Sequence, residues 1–335
     1  QKRRWLPGCT SGDIVTAIMQ DREGSYWIGT DGGGINRWRD SSFTTYGPRQ
    51  GLLNEMVYSV SGSRGGGFWA GTNSGQIYRF KDGRFTQLVT DSHLAGTIIR
   101  ALLEDSRGNL WIGSERQLYR YKSGMFVAYD RSRGLPGFAV RVVFEDRDGR
   151  IWVGTNGGGL SRIEGDRLVT YTTRDGLAAD RVRAIVQDKD GSLWIGSYGG
   201  LSHFKDGVFQ VYTTAQGLSN DFIRSLYLDD DGTLWIGTYG GGLNRLENGR
   251  ITVYGTRDGL FSATAFQILD DDLGYLWLSC NTGVYRVSKQ QLEQFSNGHV
   301  PSIASTSYSE ADGMESRECN GGSPAGWKTD DGRLW

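Results

Sequence analysis

A tryptophan recurs about every 42 residues along this chain. Trp27, Trp69, Trp111, Trp152, Trp194, Trp235 and Trp277 lie 41 or 42 residues apart, and Trp335 follows after 58. Other residues keep step. A glycine stands three positions before each: Gly24, Gly66, Gly108, Gly149, Gly191, Gly232, Gly274 and Gly332. An aspartate stands six before at Asp21, Asp105, Asp146, Asp188, Asp229 and Asp271. A second glycine follows each of the first six tryptophans by two. A fixed period of this length requires a repeated supersecondary unit that buries its faces against copies of itself.

Each repeat reads as four short strands. In the fifth, an apolar run at 182–186 meets a D-x-x-G turn, where glycine supplies positive φ. The string LWIG at 193–196 is the second strand, and a glycine-rich turn at 198–200 leads to the third at 201–204. After a D-G turn comes F-x-x-Y at 209–212, and a Gly217-Leu218 step opens the next repeat. No segment shows the apolar period of about 3.6 that a helical repeat needs. Four strands in roughly 40–45 residues is the pattern of a propeller blade.

The expected fold is therefore all-β: one β-propeller domain over 1–335 with seven four-stranded blades, eight being the alternative. Seven repeats run from about residue 13 to 295. Residues 296–322, rich in Ser, Asn and Gly, are expected to form an irregular loop. Residues 323–335 start a further repeat and stop inside its second strand. They either begin a last blade or close the ring together with residues 1–6, which would remove exposed sheet edges.

Composition narrows the function. With 37 basic and 38 acidic residues, the chain has no broad field to attract nucleic acid or an anionic membrane. Glycine, at 51 of 335, is about twice its ordinary share of roughly 7%. Only five prolines accompany it, which fits short strands and tight turns. Cys9, Cys280 and Cys319 do not read as a disulfide framework, although a single Cys280–Cys319 bridge stays open. His93, His203 and His299 lack metal-ligand spacing, so no metal or cofactor is expected. No run of about 20 apolar residues is present, and no basic-then-apolar signal opens the chain. Membrane attachment is thus expected only through segments outside it.

The repeated string GL…V-x-x-I-x-x-D-x-x-G-x-LWIGT-x-GGGL-x-R…F-x-x-Y, as at 176–212 and 217–254, resembles the two-component regulator propeller repeat over nearly the whole chain. The ending, from Met314-Glu315-Ser316 through Cys319-Asn320 to Gly332-Arg333-Leu334-Trp335, resembles the stretch where such propellers run toward their last blade. The resemblance implies the periplasmic input part of a bacterial membrane sensor, with a histidine kinase or diguanylate cyclase as output elsewhere. It implies a carbohydrate or its breakdown product as ligand, and leaves a homodimer open. This chain is expected to be at most the sensory part.

Positions alike in every repeat are easiest to assign to scaffold, and positions that vary at one rim to recognition. Two residues into the third strand stand Arg37, Arg79, Arg120, Arg162, His203, Arg245 and Arg286, a repetition that reads as structure. The turn between second and third strands instead carries Asp31, Asn73, Glu115, Asn156, Tyr198, Tyr239 and Asn281. Such residues suit sugar hydroxyls and apolar sugar faces, although Asn and Asp also serve turns. The start of the first strand carries Thr16, Tyr58, Arg100, Arg141, Arg183, Arg224 and Phe266. Four arginines in succession would attract a carboxylate or sulfate at the channel mouth, unless Asp180 and Asp221 pair with Arg183 and Arg224. The candidate ligand-binding residues are Arg100, Arg141, Arg183, Arg224, Tyr58, Asn156, Tyr198, Tyr239 and Asn281.

An enzyme is not expected. The aspartates recur once per repeat at a turn, and no G-x-S-x-G, phosphate loop or His-based metal motif is present. The reading is a non-catalytic sensor domain for a small carbohydrate-like ligand that an anionic group would suit. The alternative is a protein–protein scaffold; a glycosidase or polysaccharide lyase ranks below both.

Overall fold

The computed structural model describes residues 15–335 apart from 21–25, 31–33, 39–42, 44, 54–55, 89–93, 138, 313, 315–318 and 320–322. Asp21, Gly24, Asp31, Cys9, His93 and the suggested closing strand at 1–6 lie outside the described residues. Two compact units are present, Gln1–Thr45 with Tyr308–Ser316, and Tyr46–Ser307 with Arg317–Trp335.

The larger unit holds six four-stranded antiparallel sheets, each in simple up-and-down order. We number these blades 1 to 6, beginning with first strands Val57–Gly62, Ile99–Glu104, Val140–Glu145, Val182–Gln187, Ile223–Leu228 and Gln267–Asp270. Consecutive first strands pack against one another, so they face the axis of the ring. The expectation of seven four-stranded blades is corrected here: there are six, and eight is excluded with it. The first repeat forms a three-stranded sheet of Val15–Gln20, Tyr26–Thr30 and Gly34–Trp38 in the other unit, and Phe43, Thr45 and Tyr46 lie in no strand.

The physical reason lies at the seam. The tryptophans of blades 2 to 5 are buried, and they pack against the next blade: Trp152 of blade 3 lies 5.7 Å from Phe204 of blade 4, and Trp235 of blade 5 lies among Leu276 and Val287 of blade 6. Blade 1 offers Phe68 and Phe80 to such a tryptophan, and Trp335 takes them, with ring centroids 4.6 and 4.9 Å away. Residues 323–335 form a hairpin in which Trp327 and Trp335 exchange backbone hydrogen bonds. Val60 of blade 1 donates to the Pro324 carbonyl, and Ala325 donates to the Gln267 side chain of blade 6. The hairpin thus closes the ring between the last blade and the first.

Turn chemistry fixes each blade. Asp146 accepts from the backbone N–H groups of Asp148 and Arg150, and Gly149 takes φ +74°, which a side chain would strain. The glycine after the tryptophan has a packing reason. A Cβ on Gly154 would come within 2.6 Å of Val182, on the first strand of the next blade.

The stretch 296–322 differs from the loop expected there. The fourth strand of blade 6 is Ser305–Tyr308, and a short 3-10 turn spans Glu310–Asp312. A helix, Lys289–Ser296, stands where that strand was expected. Its sequence KQQLEQFS favours helix, Ser288 caps it and Leu292 is buried. Cys280 and Cys319 are both free thiols, so the bridge left open does not form.

Candidate anion-binding site

The first strands of blades 1 to 5 share a defect that the sequence does not announce. In blade 3, Val140 pairs with Thr155 and Val142 with Gly154, so Arg141 is an extra residue without a partner in the ladder. The same β-bulge falls on Tyr58, Arg100, Arg183 and Arg224. A bulge bends the strand and re-aims its side chain. Five successive blades therefore place a bulged side chain at equivalent points around the axis.

Arg141, Arg183 and Arg224 each meet the turn residue of the blade before, and Arg100 meets that of its own blade. Arg183 Nη2 donates to Asn156 Oδ1 at 3.1 Å, and Arg224 Nη1 donates to the Tyr198 hydroxyl at 2.5 Å. Glu115 accepts from Arg100 Nε at 2.5 Å and lies 3.6 Å from Arg141 Nη1. Arg100 lies 4.8 Å over the Tyr58 ring, Arg183 4.5 Å over Tyr198 and Arg224 4.7 Å over Phe266. Tyr239 joins through Phe266, with ring centroids 6.2 Å apart. Eight of the nine sequence candidates thus fall into two runs of contacts, one from Tyr58 through Arg100 to Arg141 and one from Asn156 through Arg183, Tyr198 and Arg224 to Tyr239. Asn281 holds the corresponding turn of blade 6 and is exposed.

Charge here is poorly balanced. Asp180 and Asp221 do not neutralise the arginines; their carboxylates accept from the Thr173 and Thr214 amides at 2.8 and 2.7 Å and brace the inter-blade loops. Burial draws the Arg183 guanidinium down to about 10, Tyr198 opposes this, and Arg141, Arg224 and Arg100 add to it. Arg141 is lowered too, by burial first, with Glu115 opposing and Arg100 contributing. The Nε–H groups of Arg141 and Arg183 are buried without a hydrogen-bond partner. Buried donors without acceptors are costly, and an arriving oxyanion would satisfy them.

Sequence reasoning missed Phe222. Its ring stacks on Tyr198 at 5.3 Å and 26°, and it is 47% exposed beside the 49% exposed Tyr239. The two rings give the mouth an apolar shelf next to Arg224. A large aromatic directly before a first strand was the available signal.

The opposite end of the ring repeats one set of contacts from blade to blade. The indole N–H groups of Trp111, Trp152, Trp194, Trp235 and Trp277 donate to the aspartates six residues earlier, at 2.8–3.1 Å. Third-strand Arg79, Arg120, Arg162, Arg245 and Arg286 cover the tryptophan faces at 5.5–5.9 Å. His203 does the same by stacking on Trp194 at 4.1 Å while Ser192 meets its Nε2. Among the described residues, no group of three His, Cys, Asp or Glu side chains could hold a metal ion.

A family profile described as "Two component regulator propeller" matches residues 10–32, 93–116, 135–157, 176–199 and 217–240. Five segments of the chain thus match that repeat. Among solved structures, the chain is similar to the extracellular domain of a protein described as a hybrid two component system from B. thetaiotaomicron. That match has 26% identity, a TM-score of 0.71, and covers 96% of this chain and 43% of that one. The chain therefore spans under half of that relative. A virginiamycin B lyase from Staphylococcus aureus matches at 17% identity and TM-score 0.55, covering 82% of this chain and 93% of that one. The YCF48 protein solved with D1 peptide matches at 12% and 0.55, covering 78% and 84%. These last two likenesses are of fold alone. No curated protein matches the chain. No described helix is long and apolar enough to cross a membrane.

Proposed function

We propose that this chain is the ligand-binding part of an extracytoplasmic sensor in a membrane signalling receptor, and that it binds a sugar-like anion at the arginine mouth without turning it over. The observation that carries the reading is four guanidiniums raised on β-bulges around one axis with a single carboxylate, Glu115, among them. Like charges held this close are unfavourable without a counter-charge, and an anionic ligand supplies it. The shelf of Phe222 and Tyr239 suits the apolar face of a pyranose. The sensory role is supported by the repeat and by the likeness to the extracellular domain of a hybrid two component system. The same likeness supports a periplasmic location.

Titration calorimetry with digalacturonate and lactose at two salt concentrations tests it. Digalacturonate is expected to bind and to weaken as salt rises, while lactose binds far less. Equal binding of both sugars, or turnover of digalacturonate, would reject the reading.

A further inference from the structure

We propose that Glu115 sets how much negative charge the mouth accepts and on which side a ligand's anionic group sits. The inference rests on the arginine mouth being the ligand site. At this turn the other five blades carry neutral residues: Asn73, Asn156, Tyr198, Tyr239 and Asn281. Glu115 alone among the six is a carboxylate, and it divides the mouth. Arg100 is paired with it through Nε at 2.5 Å and Arg141 lies 3.6 Å from it. Arg183 and Arg224 have only the neutral partners Asn156 and Tyr198. A ligand carboxylate approaching blades 2 and 3 meets a like charge, and one approaching blades 4 and 5 does not.

The space on the other side of Glu115 is of a different kind. A cleft of about 410 Å³ there is lined by two acids, Glu115 and Asp130, two bases, Arg116 and Arg131, and by Gln117, Ser132, Leu135 and Gly137. The charges balance, Gln117 and Ser132 offer hydrogen bonds and Leu135 an apolar wall, which fits an uncharged hydroxylated unit. The ligand class is thus a saccharide with its acidic group at one end. Its carboxylate lies at Arg183 and Arg224, and its neutral part extends past Glu115.

Calorimetry of wild-type, Glu115→Gln and Glu115→Asp chains with galactose, galacturonate and digalacturonate separates the outcomes. Glu115→Gln is expected to bind galacturonate about tenfold tighter and to gain more for digalacturonate. Galactose should not change, and Glu115→Asp should behave as wild type. Because Glu115 is the carboxylate that Arg100 and Arg141 share, Glu115→Gln is expected to unfold at a somewhat lower temperature than wild type and Glu115→Asp to match it, so affinities are compared at a temperature where all three chains are folded. No gain in Glu115→Gln, or the same gain in Glu115→Asp, overturns the role of Glu115 while a uronate-binding wild type keeps the arginine site. If neither wild type nor Glu115→Gln binds a uronate, both readings fall.

Discussion

At one end of the ring Arg162 lies 5.5 Å over Trp152 and Arg245 lies 5.8 Å over Trp235, with Glu164 and Glu247 beside them. At the other end Arg141 and Arg183 are pressed toward further arginines. The residue type is the same and the surroundings differ. At the first end five of the six blades repeat an arginine over their own tryptophan, and two of these also pair with an acid of the same strand. At the second end four successive blades raise an arginine on a bulge toward the axis, with one carboxylate, Glu115, among the four. The first set serves the fold, and the second is the one we propose meets a ligand.

The comparison breaks first at the tryptophans. Trp152→Ala is expected to cost about 3–5 kcal/mol in urea unfolding, since the indole is 2% exposed and joins blades 3 and 4. Less than about 1 kcal/mol would show that the seams are held by something else. Asp146→Ala is expected to cost about 1–3 kcal/mol by orphaning the indole donor and two amides.

That aspartate also carries a pH signature. Burial pushes its pKa up, but hydrogen bonds from Trp152 and Arg150 overcome burial and leave it below the usual 3.8. A depressed folded pKa gives stability that is present above the unfolded value and lost as pH falls through the folded one. Wild type should therefore lose stability as acid is added below about pH 4, and Asp146→Asn should lose less over the same range. Equal acid slopes in the two proteins would remove Asp146 from the account. The smallest effect is expected for Arg162→Ala, about 0.5–1 kcal/mol in stability and no change in uronate affinity.

Blade architecture was legible because the tryptophan period marks each second strand and no segment between shows the apolar period of about 3.6 that a helical repeat of similar length needs. The number of blades was not. Trp27 and Trp335 carry the same local pattern, and only packing on Phe68 and Phe80 decides that Trp335 takes the seam. The helix at Lys289–Ser296 escaped because eight residues with one buried side chain leave no readable apolar stripe. The mouth was legible in outline, since Arg100, Arg141, Arg183 and Arg224 stand out when repeats are aligned. What brings them together was hidden. The bulge leaves one trace, the adjacent buried pair Ala184-Ile185 after Arg183, which breaks strict alternation. Asp180 and Asp221 were near in sequence to their arginines, yet the loops claimed them.

One paired measurement tests the division between the two ends most directly: calorimetry with digalacturonate and urea unfolding on Arg141→Ala/Arg183→Ala and on Arg162→Ala/Arg245→Ala. The account predicts that the first double variant loses at least tenfold in affinity with stability unchanged or raised, and that the second loses stability by about 1–2 kcal/mol with affinity intact. A destabilised first variant that still binds digalacturonate as wild type does would contradict it.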